Sequence, residues 1–279
     1  MSTGINYLTI KDVFNNSILM RGEVWNPVTG CSGKSCPTKD TCWAKDMVNR
    51  FPVIHQPIGR KRCEKYGIET PFPFSEPQFH PDRLNKPLHW KKPRRAGVCF
   101  MSDWMDEQVP IKWISDIYVV MMECERIGLK HQFFTLTKQS KRLAETIHPR
   151  TPLSNLYNGV SITSQADADR MIPDLLRIPG KHWVSIEPFM KGPIDLKLRS
   201  DVVMCGNSWS VRRVFIDFIV IGSHNRPKLY PCPHAWMIDV VEQCRAAKVP
   251  VWVKQIEIDG KVCTDITKFP KELQVRELP

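Results

Sequence analysis

No uninterrupted apolar run approaches the ~18–20 residues of a membrane-spanning helix, so no helical span is expected. The first residues, Met-Ser-Thr-Gly-Ile-Asn, lack the charged and apolar regions of a secretory leader, and a cytoplasmic protein is expected. Cysteines stay mostly reduced there, so the ten in this chain point to metal or cluster ligation rather than to a disulfide framework. Nothing repeats at a fixed period and there is no low-complexity tract, which excludes a repeat architecture. Acidic residues are few, 29 Asp and Glu against 40 Lys and Arg, and the resulting charge of +11 favours an anionic partner, either nucleic acid or a nucleotide-bearing substrate.

The 279 residues, 42% hydrophobic, suffice for a substantial core. Short apolar runs bounded by polar turns predict strands at 22–25, 97–101, 132–136, 156–162, 182–186, 215–221 and 249–253. Helical spacing predicts helices at 42–51, 111–127, 141–147, 166–178 and 233–247. Ser140 and Ser164 are placed as N-caps, and Pro173 is placed to kink a helix or restart it. Strands alternating with helices imply an α/β fold with a parallel sheet, and six or seven such units fit a barrel, complete or partly open. Residues 52–96 read as a long basic, proline- and aromatic-rich insertion after the first helix. Residues 188–214 read as a second irregular stretch, and 257–279 as a peripheral tail.

Cys31-Ser-Gly-Lys-Ser-Cys36-Pro-Thr-Lys-Asp-Thr-Cys42 places three soft ligands in one loop after the first predicted strand. The loop lacks the two-residue gaps of zinc fingers and ribbons. Zinc with Cys63 or His55 as a fourth ligand, an iron–sulfur cluster with one open iron, and no metal at all remain open on the residues alone. Cys99, Cys124, Cys205 and Cys244 fall in apolar surroundings and read as core. Chemistry in a barrel belongs at the carboxyl ends of the strands. Polar residues recur there: Ser102 and Asp103, Lys138, Ser161 and Thr163, Glu187, Gly222 with Ser223, and Lys254. Residues 60–95 hold ten Lys or Arg against four Asp or Glu. Within them Trp90-Lys-Lys-Pro-Arg-Arg95 puts Lys91, Lys92, Arg94 and Arg95 beside an aromatic ring, a pairing suited to phosphates and unstacked bases.

Ten segments together resemble a known family. The early ones are Trp25-Asn-Pro-Val-Thr-Gly-Cys31, Cys42-Trp-Ala, Phe79-His-Pro-Asp-Arg-Leu84, Trp90-Lys-Lys-Pro-Arg-Arg95, Met101-Ser-Asp103 and Leu136-Thr-Lys138. The later ones are Gly159-Val-Ser161, Gln165-Ala-Asp-Ala-Asp169, Ser185-Ile-Glu-Pro188 and Val251-Trp-Val-Lys-Gln255. They resemble the phage-associated three-cysteine proteins of the radical S-adenosylmethionine (SAM) superfamily. The resemblance implies a partial (β/α)6-type barrel over residues 1–256 carrying a [4Fe–4S] cluster on Cys31, Cys36 and Cys42, with SAM on the open iron and an electron donor such as flavodoxin or ferredoxin. It implies cofactor contacts at Ser102, Asp103, Ser161, Thr163, Glu187 and Gly222, and roles in catalysis for Glu187, Lys138 and Lys254. The expected function is hypermodification of phage DNA bases in the host cytoplasm, with isomerisation of an N-linked glycyl-thymine to a C-linked form as the specific case. The alternatives are radical SAM chemistry on tRNA or a small metabolite, and a non-catalytic zinc- or cluster-containing nucleic-acid-binding protein. The loop departs from the superfamily spacing: its gaps are four and five residues rather than three and two, which displaces Cys36. Gly222-Ser-His-Asn225 stands where relatives carry a Gly-Gly-Glu-like turn.

Overall fold

The computed structural model describes residues 6–11, 18–34, 36–56, 72–147, 152–198, 201–205, 208–212 and 216–279. The chain is mixed α/β and divides into two compact units, Met1–Tyr157 and Asn158–Pro279.

The first unit contains β1 (Ile10–Lys11), β2 (Ile18–Trp25), β3 (Val28–Thr29), β4 (Gln78–Phe79), β5 (Arg94–Val98), β6 (Gln132–Thr135) and the start of β7 (Leu156–Ser161). Its helices are α1 (Trp43–Arg50), α2 (Pro81–Leu84), α3 (Ile111–Arg126) and α4 (Ser140–Thr146). β2, β5, β6 and the start of β7 run parallel in that order, and β1 pairs antiparallel with β2 at the edge. Parallel neighbours require crossovers, which α3 and α4 supply. α3 buries Ile114, Ile117, Val120, Met121 and Cys124, the stripe its three-four spacing predicts. Ser140 begins α4 instead of capping it, because Gln139 precedes the helix with its N–H on the Thr137 hydroxyl at 2.8 Å.

Consecutive strand residues face opposite ways. Phe133 tilts against Trp25 at 5.7 Å, while its neighbour Phe134 stacks on Tyr157 at 4.6 Å. The Arg95 guanidinium lies over the Phe134 ring at 4.7 Å. Arg95 has no exposed surface, and its three side-chain nitrogens have no hydrogen-bond partner among the described residues. Burial holds its pKa down to about 10. β5 therefore starts three residues before the predicted 97, because a pair of arginines that reads as a charged linker is strand.

The second unit holds the remainder of β7, then α5 (Gln165–Leu175), β8 (Lys181–Phe189), β9 (Asp201–Cys205), β10 (Ser208–Arg212), β11 (Phe218–Ser223), α6 (His234–Ala247), β12 (Val251–Ile258) and β13 (Lys261–Cys263). β8, β11 and β12 are parallel neighbours, and β13 turns back on β12. Every residue of β11 is buried, as expected of a strand covered on both faces. The expected Ser164 cap forms, accepting from the Asp167 N–H at 3.2 Å, and Pro173 stays inside α5. Gly159 has no room for a side chain, since a Cβ there would stand 2.2 Å from Trp183 Nε1.

Two stretches differ from the sequence reading. Residues 188–214 contain the β9–β10 hairpin. The expected peripheral tail is packed: Val253 N–H bonds Val275 O at 2.9 Å, Glu277 N–H bonds Val251 O at 3.0 Å, and Leu273 is fully buried.

Arg95 is charged at neutral pH both folded and unfolded, so its burial without a hydrogen-bond partner costs desolvation that the Phe134 ring offsets only in part. Arg95→Met is therefore expected to leave the unfolding free energy unchanged or raise it by about 1–4 kcal/mol in urea titrations at pH 7. A clear loss of stability would show that the cation has a partner.

Candidate functional site

The cysteine loop leaves β3 at a point where backbone fixes it on two sides. Gly30 N–H bonds Met101 O at 2.9 Å, Cys31 N–H bonds Phe74 O at 3.0 Å, and the Ser102 hydroxyl donates to Gly30 O at 2.6 Å. Gly30 has φ +80°, and a Cβ there would lie 2.5 Å from His55 Cε1 and 2.7 Å from Phe74 O, so only glycine fits. One residue beyond Cys31, the Ser32 N–H and hydroxyl both donate to Asp106 Oδ2, at 2.9 and 2.7 Å. Arg142 secures the Asp106 turn in its place, donating to the carbonyls of Met105, Asp106 and Val109. Cys36 opens a tight turn, with its sulfur 3.2 Å from Thr38 Oγ1. Cys42 immediately precedes α1 and accepts from Asp46 N–H at 3.0 Å. Cys31 and Cys42 both pack on Ala44, Val48, Phe74 and Met101.

Two buried histidines from the insertion meet β3. Thr29 Oγ1 lies 2.8 Å from His55 Nδ1 and 2.8 Å from His80 Nε2. His55 Nε2 faces Pro73 O at 3.0 Å. A carbonyl only accepts, so His55 Nε2 carries a proton, and in the neutral ring that burial favours Nδ1 is bare. The Thr29 hydroxyl therefore donates to His55, and its oxygen accepts from His80 Nε2–H. Both rings are neutral in this arrangement. Burial agrees, lowering the pKa of His55 and pushing that of His80 down to about 3. Both nitrogens of His55, which the sequence allowed as a fourth metal ligand, are engaged within the protein. Cys63 lies outside the described residues.

The three thiols are free and half-buried. Burial, the carboxylates of Asp103 and Asp106, and the neighbouring Cys42 and Cys36 push the Cys31 thiol up to about 12. Such a thiol ionises when a bound cation offsets those charges. Among the described residues no three His, Cys, Asp or Glu side chains converge as a ready set for one ion. A single tetrahedral zinc draws its sulfurs to about 4 Å from one another. A cluster spreads its cysteines over different irons and suits a wider loop. The donor set, three cysteine sulfurs in one loop, fits a cluster whose iron–sulfide core carries positive charge.

Asp103 uses both oxygens on the protein: Oδ1 accepts from the Thr137 hydroxyl at 2.5 Å and Met105 N–H at 3.0 Å, and Oδ2 from Lys138 N–H at 2.8 Å. It thereby ties the end of β5 to the end of β6. Burial raises its pKa against those hydrogen bonds. Lys138 is half-buried, and its charge favours the ionised form of Asp103.

In the second unit, Glu187 and Lys254 form an ion pair, with each side chain 19% exposed. Gly222 adjoins them: a Cβ there would meet Gln255 Cγ at 3.3 Å and Glu187 Cγ at 3.5 Å. Gln255 Nε2 donates to Ser223 O and Asn225 Oδ1 at 2.8 and 2.9 Å, fixing the turn after β11. Ser161 is buried, its hydroxyl 3.5 Å from Glu187 O. The Thr163 hydroxyl donates to Asp167 Oδ2 at 2.8 Å and so belongs to the start of α5.

Of the four basic residues expected to meet nucleic acid, Lys91 and Lys92 are exposed and Arg94 is half-buried. Arg95 is not at the surface, so that expectation fails for it. The sequence reading passed over Asp106, Thr29, His80 and Arg142. Asp106 carried a visible signal, as a second carboxylate three residues after Asp103 in the same polar turn. Nothing in the sequence marks Thr29 and His80, 51 residues apart, as partners.

The chain belongs to the family described as "Protein of unknown function (DUF5131)", whose model matches residues 15–278. No curated protein and no solved structure matches it.

Thr29→Val removes the hydroxyl between two buried histidines and is expected to cost about 2–4 kcal/mol in urea titrations, whereas Thr29→Ser keeps most of the stability. The histidines also set an acid limit. Their folded pKa values lie below the ordinary 6.5, so their contribution is complete above pH 6.5 and is lost as pH falls through 6.5 toward 3. Thermal midpoints measured across that window should fall, and a flat profile would refute the neutral assignment.

Proposed function

We propose that this family member is a radical SAM enzyme, with a [4Fe–4S] cluster held by Cys31, Cys36 and Cys42. The observation that carries the reading is the cysteine loop: three free thiols follow β3, on a base braced by Thr29, Gly30 and Asp106, with Cys31 amid negative charge. When bound, the reduced cluster and SAM supply a 5′-deoxyadenosyl radical able to abstract hydrogen from an unactivated carbon.

The chain's own residues supply position. Ser102 and Asp103 follow β5 beside the loop, and Ser102 fixes Gly30 directly. Asp103 has its oxygens oriented by three donors and keeps lone-pair capacity for a cofactor amino group. In the second unit, the Glu187–Lys254 pair beside Gly222 offers a carboxylate and an ammonium of low exposure. Lys254 suits a ligand carboxylate or phosphate, and Glu187 a hydroxyl or amino group.

The substrate reading is a base in phage DNA, with isomerisation of an N-linked glycyl-thymine to the C-linked form as the specific reaction. Basic composition and the exposed Lys91 and Lys92 support a nucleic-acid substrate. The partners are then DNA and an electron donor of the flavodoxin or ferredoxin kind. No described helix is long and apolar enough to cross a membrane.

Anaerobic reconstitution is expected to give a brown protein with about four irons and four sulfides that cleaves SAM on reduction. Cys31→Ala, Cys36→Ala and Cys42→Ala should each abolish the cluster. One bound zinc without SAM cleavage would sink the enzyme reading, and a cluster retained in Cys36→Ala would remove that ligand. Nucleoside mass spectrometry of phage DNA with and without the gene tests the substrate, and identical profiles would reject it.

A further inference from the structure

A cleft of about 420 Å³ in the first unit shares Thr29 and Met101 with the base of the cysteine loop, and its other lining residues have no part in holding the cysteines. Its floor is apolar, with Trp25 and Met101 both buried. One side carries the half-buried indole of Trp90, perpendicular to the His131 ring at 5.1 Å between centroids. Arg83 and Lys86 supply cations. Arg83 is partly committed, donating to Ile54 O at 3.0 Å and Asn26 O at 3.5 Å. Lys86 is exposed, and Glu23 lies in the same lining. Neither Lys86 nor Glu23 has an ion pair among the described residues.

A ligand that satisfies this lining needs an anion for Lys86, hydrogen-bond donors for Glu23, and a flat apolar face for Trp90 and the floor. Free phosphate has no flat face. An acidic peptide brings carboxylates against Glu23. The bases of a duplex are stacked and out of reach. One unstacked nucleotide meets all three needs, and the volume lies within the ordinary range for small-ligand clefts. Lys91 and Lys92 follow Trp90 directly and are exposed, so flanking phosphates of a strand also find cations.

We infer that the cleft between Trp90, Lys86 and Glu23 holds one unstacked nucleotide of a single-stranded nucleic acid. The inference deepens the nucleic-acid part of the proposed function by naming where the strand is gripped, and it uses no cysteine.

The test is fluorescence anisotropy with a labelled single-stranded DNA of about twelve nucleotides, on cluster-free Cys31→Ala protein at fixed salt. In that background Lys86→Glu and Trp90→Ala should each weaken binding about ten-fold or more, and Trp90→Phe by less than about three-fold. Lys86→Glu should also lower the salt slope by about one. Lys271→Glu, an exposed charge reversal in the second unit, should bind like the parent. Parent-like binding by Lys86→Glu and Trp90→Ala overturns the inference, as does equal weakening by Lys271→Glu. A duplex that binds as tightly as the single strand, or a mononucleotide that competes as well as the strand, also overturns it. If Trp90→Ala melts early, Lys86→Glu and Trp90→Phe decide. Strand binding that persists in a protein unable to assemble a cluster separates this inference from the enzyme reading. SAM cleavage by a protein that binds no strand separates them in the other direction.

Discussion

One hydroxyl, that of Thr29, fixes the base on which the cysteine loop stands. It donates to one buried histidine and accepts from another, and both histidines come from a segment that sequence patterning reads as an irregular insertion. The direction of the chain follows from a single carbonyl, Pro73 O, which forces the tautomer of His55 and through Thr29 that of His80. Every ring in it is neutral, so the brace works without charge beneath a loop already surrounded by carboxylates. Gly30 allows the close approach, and Asp106 holds the loop again one residue beyond Cys31. A cysteine loop pinned on both sides of its first cysteine is far more preorganised than its length suggests.

Charge is distributed unevenly in the first unit. Cys31 lies in the field of Asp103 and Asp106, which favour a cation beside it. The exposed lysines follow Trp90 on the way into β5, where they favour an anion. Asp103 links the two strand ends next to the loop, since its carboxylate gathers Thr137 and Lys138 from the end of β6. Its orientation is set by the protein itself, which leaves a bound group little reorganisation to impose.

The alternation of strands and helices was legible because apolar runs and three-four spacing are local signals. α3 and the seven predicted strands all have counterparts in the structure. The loop cysteines and the polar strand ends were legible for the same reason. What was hidden depended on distance along the chain. His80 and Thr29 meet across 51 residues, and no periodicity encodes that. Arg95 read as surface charge because it sits in a basic run, yet strand alternation turns it onto Phe134 and out of solvent. The C-terminal stretch read as peripheral because its contacts with β12 are scattered backbone bonds.

Glu187 and Lys254 have a further consequence as a pair. Each already neutralises the other, so a ligand carboxylate that reaches Lys254 displaces one of the same kind. Its net gain is a difference between two similar ion pairs, which makes the exchange shallow and reversible. The displaced Glu187 is then a carboxylate of low exposure with its oxygens open to hydrogen-bond donors. Occupation of one side chain of the pair and release of the other are a single exchange.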